Sequence, residues 1–236
     1  MHLLRLQGYG SFQNLLKNLS LYNMEIINEL AEAYAEKFTS PEDELLRNIN
    51  EDTLAHHAQP QMLSGHVQGK VLEFISGIMQ PKYILEIGTF TGYSALCLAK
   101  GLQADGELHT IEIRPEDADI CEKNFKQSSL HKKIHLHVGN AADIIPLLPF
   151  KWDIVFIDAD KTGYITYYEM VLPRLSDNGL IIADNVLFHG QVLEKNITGK
   201  NAIAIDAFNM HVANDERTEQ VMLTVRDGLL FIKKKK

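Results

Sequence analysis

From residue 83 onward, short apolar runs alternate with helix-length segments. That rhythm restricts the fold more than any other feature of the chain. The runs are 83–87, 107–111, 134–138, 153–157 and 180–183, and the segments near 92–102, 115–127, 140–147 and 164–174 are predicted as helices. Five strands alternating with helices predict a parallel sheet covered on both faces. The tail breaks the rhythm. A predicted helix near 199–212 precedes runs 220–225 and 229–233, joined at Asp227-Gly228. A D-G pair between two apolar runs signals a hairpin, so the sheet should end in an antiparallel pair.

Upstream, apolar residues at helical spacing (Ile26, Ile27, Leu30, Ala31, Tyr34) predict a helix over 22–38. A second is predicted from Ser40 as N-cap, with Pro41 at its first position, through about Ile49. A third is predicted over 66–79, with Val67, Val71, Phe74, Ile75 and Ile78 on one face. The 236 residues suffice for one large α/β domain with a well-buried core.

A formal charge of −8 disfavours a general DNA-binding face. The four lysines at 233–236 read as a frayed, solvated tail. Cys97 and Cys121 have no metal-ligand spacing and fall in predicted helices, so reduced core residues are expected. No apolar stretch approaches the ~20 residues that span a bilayer. The start, MHLLRLQGYGSFQ, lacks a sustained apolar region and a small-residue cleavage site; no secretory signal is expected, and the cytoplasm is the expected compartment.

The first strand leads into a glycine-rich turn, Glu86-Ile87-Gly88-Thr89-Phe90-Thr91-Gly92-Tyr93-Ser94. In open α/β sheets, ligands bind at the carboxyl ends of strands near the switch in strand order. Gly88 and Gly92 would let backbone approach a ligand closely. Their spacing is G-x-x-x-G, not the G-x-G-x-x-G that cradles a pyrophosphate. Glu112 ends the second strand, where an acid suits ribose hydroxyls. Glu86, just before the first glycine, could accept from an amino group. Either glutamate could equally serve capping or solubility. A nucleoside with an amine and no pyrophosphate points to S-adenosylmethionine rather than NAD.

The fourth strand closes in Phe156-Ile157-Asp158-Ala159-Asp160-Lys161. Two acids and a lysine there suggest a bound cation, a proton transfer or a solvated corner. The fifth strand ends in Ala183-Asp184-Asn185. If the two strands are neighbours, Asp158, Asp184 and Asn185 converge, and three oxygen ligands suit Mg²⁺, Mn²⁺ or Ca²⁺. Asp184-Asn185 could also merely start a turn. Lys161 reads either as a surface lysine or as a general base, its pKa lowered by a nearby dication and sulfonium. His56 and His57 fall in a predicted loop. His135 and His137 share one face of a strand, and His131 precedes it. Packing or solvent exposure is expected for all of these, rather than metal binding. His189 follows the Asp184-Asn185 turn and is a candidate to border the substrate.

Residues 88–94, the FIDADK run followed by Tyr164, and Ala183-Asp184-Asn185-Val186 together resemble the cation-dependent class I O-methyltransferases. That family includes caffeoyl-CoA and catechol O-methyltransferases and bacterial small-molecule relatives. The resemblance covers about residue 22 to the C-terminus. Residues 1–21 have no counterpart and are expected as an extension before a single methyltransferase domain, 22–236. The resemblance implies a Rossmann-like, seven-stranded, mostly parallel sheet with helices on both faces and an antiparallel last strand. It implies cation ligands Asp158, Asp184 and Asn185, with Mg²⁺ in first place. It implies S-adenosylmethionine contacts at Met62, Ser64, Glu86, Gly88, Thr89, Ser94, Glu112, Ala141 and Asp160. Lys161 would be the base beside Asp158, and the protein a homodimer. Asn140 stands where many members have Asp. His189 replaces an Asn of the plant branch, and Val221 aligns with the catechol enzyme's substrate-binding Glu.

These residues predict in-line methyl transfer from a sulfonium to a phenolic oxygen of a vicinal-dihydroxy aromatic, with specificity set by residues 39–61 and 187–201. Three rivals stand beside this reading. A tRNA hydroxyuridine O-methyltransferase is opposed by the acidic balance but kept open by Arg5, Lys17 and the lysine tail. An NAD-linked oxidoreductase is opposed by the missing G-x-G-x-x-G. A non-catalytic nucleoside-binding module is opposed by the intact set of Asp158, Lys161, Asp184 and Asn185.

Overall fold

The computed structural model describes residues 29–235. The expected extension 1–21, residues 22–28 of the first predicted helix, Arg5, Lys17 and Lys236 lie outside them. In chain order the elements are α1 (Glu29–Phe38), α2 (Glu44–His56), α3 (His66–Met79), β1 (Tyr83–Ile87), α4 (Tyr93–Ala99), β2 (Glu107–Glu112), α5 (Pro115–Lys126) and β3 (Ile134–Val138). Then come α6 (Ala141–Ile144), β4 (Trp152–Ile157), α7 (Tyr164–Val171), β5 (Leu175–Asp184), α8 (Lys200–Ala213), β6 (Thr218–Leu223) and β7 (Leu229–Lys234).

The seven strands of the described residues form one sheet in the order β3-β2-β1-β4-β5-β7-β6. β1 pairs in parallel with β2 and β4, β2 with β3, and β4 with β5, while β7 runs antiparallel to both β5 and β6. The parallel core and the antiparallel end are therefore as the sequence predicts. Asp227-Gly228 does lie in the β6–β7 turn. That turn spans residues 224–228, because Leu223 pairs with Leu229, and so is longer than a two-residue hairpin turn.

The strands read as continuous apolar runs because both faces are covered. Ile84, Leu108, Ile154, Phe156 and Ile182 face one layer, built on Leu46, Leu72, Leu96, Cys121 and Phe125 of α2–α5. Leu85, Ile87, Val155, Ile157 and Ile181 face the other, built on Tyr164 and Tyr168 of α7 and Phe208 of α8. Each such side chain removed from water contributes about 1.5–3 kcal/mol. Both cysteines are free and buried, as expected.

Three expectations need correction. α2 begins at Glu44, not at Pro41, because the Asp43 side chain accepts from Leu46 N at 2.9 Å and caps it there; it runs on to His56. α3 buries Gln68, Gly69, Leu72 and Ser76, whereas Phe74 (61 % exposed) and Ile78 (80 % exposed) face outward. Small residues win that face because α3 meets α4 and its C-terminal turn too closely for branched ones. A Cβ on Gly69 would lie 2.6 Å from the Tyr93 ring, and one on Gly101 would lie 2.1 Å from the Ser76 carbonyl carbon. The lysine tail is not frayed at its start: Lys233 and Lys234 belong to β7, Lys233 pairs with Glu219 at 2.9 Å, and Lys234 Nζ donates to Leu175 O at 2.6 Å. Among the described residues no helix is long and apolar enough to cross a membrane.

The strand order reverses between β1 and β4, which places the switch point after Ile87 and Ile157. There Asp158 N donates to Ile87 O at 2.9 Å and Gly88 N to Ile111 O at 3.0 Å. Gly88 has φ +97°, and a Cβ on it would lie 2.1 Å from Asp158 O. Gly88→Ala should therefore cost at least ~2 kcal/mol, from left-handed strain and backbone collision together. Gly77→Ala is the control, since nothing lies within 4 Å of a Cβ there and it sits inside α3; it should be neutral or stabilising by ~0.5–1 kcal/mol. Urea midpoints of the two variants compare them directly, and equal midpoints would contradict the close approach.

Candidate active site

A cavity of about 470 Å³ opens at the carboxyl ends of β1, β2, β4 and β5. Of the residues singled out in the sequence, Met62, Ser64, Gly88, Thr89, Ser94, Glu112, Ala141, Asp158, Asp160, Lys161, Asp184 and Asn185 line it. Glu86 does not. It lies fully buried behind the wall, where Ser94 Oγ donates to it at 2.6 Å and Thr110 Oγ1 at 2.5 Å. Burial raises its pKa to about 8 against those hydrogen bonds, with Asp158 and Glu112 adding like charge. Thr110 Oγ1 also meets Thr89 Oγ1 at 2.5 Å, so the carboxyl communicates with the cavity wall through two hydroxyls.

Glu112 closes β2 and is 3 % exposed. It accepts from Phe90 N at 2.8 Å and from Arg114 N at 2.9 Å. A carboxylate offers about four lone-pair sites, so two remain for a ligand. The glycines have structural reasons of their own. Gly88 must pass the Asp158 carbonyl, and a Cβ on Gly92 (φ +87°) would strike the Phe125 ring at 2.6 Å. Gly88 also lines the cavity, whereas Gly92 does not. Asn140 caps α6 by accepting from Ala142 N, and its neighbours Gly139 and Ala141 form the wall.

The two strand ends do meet, because β4 and β5 are neighbours. A single 3-10 turn, Lys161–Gly163, folds the lysine back over Asp158. Its Nζ donates to Asp158 Oδ1 at 2.9 Å, Asn185 Oδ1 at 2.7 Å and Tyr164 Oη at 2.7 Å. It is not a surface lysine. Burial works against its charge, but Asp158, Tyr164 and Asp184 outweigh that and hold it above the ordinary lysine range. With protein groups alone the shift is thus upward, opposite to the direction expected of a base beside a dication and a sulfonium. Asp184 is 3 % exposed, and burial, followed by the Asp158 charge, raises it to about 7. Asp160 stands outside this cluster, exposed, accepting from Thr162 Oγ1.

The donor set fits a hard divalent cation. Two carboxylates are held together at some electrostatic cost, and the third group offers an amide oxygen. Asn185 adopts φ +56°, a left-handed conformation that Asn tolerates. Its Nδ2 donates to Asp227 Oδ2 at 3.3 Å, which turns Oδ1 toward Lys161 and Asp158.

Two supporting residues escaped the sequence. Gln68, buried on α3, donates to Asp184 Oδ2 at 2.5 Å. No local signal marked it, since the same helix also carries Lys70, Glu73 and Ser76. Asp227, read only as a turn residue, accepts from Asn185 Nδ2 and from His189 N at 2.6 Å. It thereby anchors a loop in which Phe188 and His189 are both left-handed. Of the two segments expected to set specificity, 187–201 contributes Phe188, His189 and Asn201 to the cavity, whereas 39–61 contributes only Gln61. Val221 lies on the outer strand, 53 % exposed and away from the cavity.

The family model described as O-methyltransferase matches residues 35–235. The catechol O-methyltransferase of Niastella koreensis is 36 % identical over 189 residues, covering 77 % of this chain and 83 % of that one. A Dictyostelium discoideum protein named "Probable caffeoyl-CoA O-methyltransferase 2" is 31 % identical, covering 90 % of this chain and 93 % of its own. Among solved structures, the SAH-bound methyltransferase PaMTH1 of Podospora anserina superposes with a TM-score of 0.83 at 29 % identity, covering 91 % and 97 % of the two chains. With the sheet order, the cavity and these matches together, the chain belongs to the O-methyltransferase family, the class I S-adenosylmethionine-dependent enzymes that its motifs resemble.

Proposed function

We propose that the protein transfers the methyl group of S-adenosylmethionine to one oxygen of a vicinal-dihydroxy aromatic small molecule of catechol or caffeoyl type, with Mg²⁺ held by Asp158, Asp184 and Asn185. The observation that carries this reading is the cluster of Lys161 with Asp158, Asn185 and Asp184 at the mouth of two neighbouring strands, inside the cavity. The names of the catechol and caffeoyl-CoA relatives support the acceptor class. The homodimer stays part of the proposal on the resemblance alone.

In this reading the nucleoside lies along β1 and β2. The free lone pairs of Glu112 take its ribose hydroxyls, and Gly88, Thr89 and Ala141 form its floor. Glu86 acts from behind, through Ser94 and the Thr110–Thr89 hydroxyl pair. Asp158 and Asp160 lie on the sulfonium side, and Phe188, His189 and Asn201 on the acceptor side. When bound, the cation supplies Lewis acidity to the acceptor hydroxyl and offsets the paired carboxylates. Lys161 holds the departing proton; it is the only lysine among the described residues lining the cavity. Neutralising Asp158 and Asp184 removes part of what keeps its ammonium above the ordinary range, Tyr164 supplying the rest. The sulfur–methyl bond breaks as the oxygen–methyl bond forms, and the protein's main contribution is orientation of the two substrates.

Two predictions test the proposal. Methyl transfer to a panel of catechol, caffeate and caffeoyl-CoA should require Mg²⁺ and stop in EDTA, and Asp184→Asn should abolish it while donor binding persists. Full turnover in chelator would sink the cation's role. Lys161→Gln should lower kcat by ~10²-fold or more, the usual range for loss of a general base. Donor affinity measured by calorimetry should stay within a few fold. An unchanged kcat would remove Lys161 from the proton path.

A further inference from the structure

β2 and β3 pair in parallel with His109 opposite His135 and Ile111 opposite His137, and β3 is the outermost strand on that side. Glu107 and His109 point to the same face of β2. A carboxylate and three imidazoles therefore gather there, at the end of β2 away from Glu112. The His109 ring stacks on His135 at 4.8 Å and on His137 at 5.3 Å, and Phe150 and Trp152 close over it. None of these residues lines the cavity.

Proton accounting shows what the cluster lacks. His109 Nδ1 lies 3.0 Å from His137 Nε2, so one nitrogen must donate and the other accept. When His109 Nδ1–H donates, its Nε2 lone pair faces Glu107 Oε2 at 3.4 Å. His135 Nε2 approaches that same oxygen at 3.7 Å, beyond hydrogen-bond reach. It is buried with no hydrogen-bond partner. A buried polar atom left in that state destabilises the fold.

We propose that Glu107, His109 and His135 form a transition-metal site, Zn²⁺ being the ion it suits best, with His137 fixing the tautomer of His109. One ligand atom from each of the three lies within 4.8 Å of the others. Tetrahedral bonds of ~2.0–2.1 Å set neighbouring ligands roughly 3.3 Å apart, close to the 3.4 and 3.7 Å found here. Two imidazoles and one carboxylate select Zn²⁺ and its neighbours over Mg²⁺, which prefers oxygen alone. A ligating histidine that donates its other N–H to a neighbour is the usual second-layer arrangement. The Glu107 and His135 side chains are 41 % and 43 % exposed, which gives the ion a route in and leaves a position for water. Bound there, it cross-links the edge strand β3 to β2. His135, expected to pack or face solvent, would thus acquire a ligand chemistry.

Calorimetric titration of the protein with Zn²⁺ under saturating Mg²⁺, alongside thermal melting, tests the site. One Zn²⁺ per chain should bind and raise the melting midpoint, because the ion favours the folded state. Glu107→Gln and His135→Ala, both partly exposed, should each lose that equivalent and the shift. His137→Phe should weaken binding by roughly 10–100-fold. Asp184→Asn should leave both readouts intact. Zn²⁺ uptake unchanged in Glu107→Gln and His135→Ala, absent from the wild type, or lost in Asp184→Asn would overturn the assignment.

Discussion

The site depends on one close approach, that of the Gly88 backbone to the Asp158 carbonyl where β1 and β4 end side by side. A side chain at 88 would separate the two strand ends, since its first carbon would overlap that carbonyl. With glycine there, Asp158 N reaches Ile87 O and the strands stay in register to their last residue. Everything at the cavity then follows by neighbourhood. β2 on one side delivers Glu112, and β5 on the other delivers Asp184. The switch in strand order leaves a crevice between helices that leave in opposite directions, and the chemistry-bearing residues border it. A backbone constraint in the core thus fixes where charges lie at the surface of the sheet.

Those charges conflict with ordinary folding stability. Glu86, Asp158 and Asp184 are buried or half-buried within one region, and Lys161 is the counter-charge of Asp158 and Asp184 only. Its three donors are divided among Asp158, Asn185 and Tyr164, so Asp184 depends on Gln68 and its neighbour's backbone N–H. Burial first, and then the neighbouring Asp158 charge, raise both Glu86 and Asp184. A fold selected for stability alone would replace such carboxylates with apolar groups of similar volume. Beside an open cavity, such carboxylates would be offset by the cation and sulfonium proposed above.

Much of this was legible in the sequence, for identifiable reasons. Strand positions were readable because a sheet covered on both faces needs unbroken apolar runs, and turns between them need glycine or Asp. The proposed cation ligands and Lys161 stood out because they follow the ends of those runs. What failed was whatever depends on packing distance. The buried face of α3 was misread because hydrophobicity marks Phe74 and Ile78, whereas contact with Tyr93 selects Gly69 and Ser76. The further demand on Gly88 and Gly92, from a backbone carbonyl and a phenyl ring, was not readable. Glu86 was read as a ligand contact because it lies just before Gly88, whereas its side chain is fully buried and does not line the cavity. Gln68 and Asp227 reach the site across 116 and 42 residues respectively, and no local pattern records such distances.

The histidine cluster belongs to the same class of hidden feature. His109 and His135 are far apart in the chain and become adjacent only through the β2–β3 register. Its donors also differ in kind from those of the cavity. The Asp158, Asp184 and Asn185 set offers oxygen alone, whereas the cluster offers two imidazoles with one carboxylate. Ions choose between such sets by ligand softness rather than by position. A hard, tightly hydrated ion gains little from imidazole, so it favours the cavity. A borderline ion gains most from nitrogen, so it favours the edge of the sheet. Under both proposals one chain would hold two cations without either displacing the other, because one donor set lies at the carboxyl ends of β4 and β5 and the other on the amino-terminal half of β2 and β3.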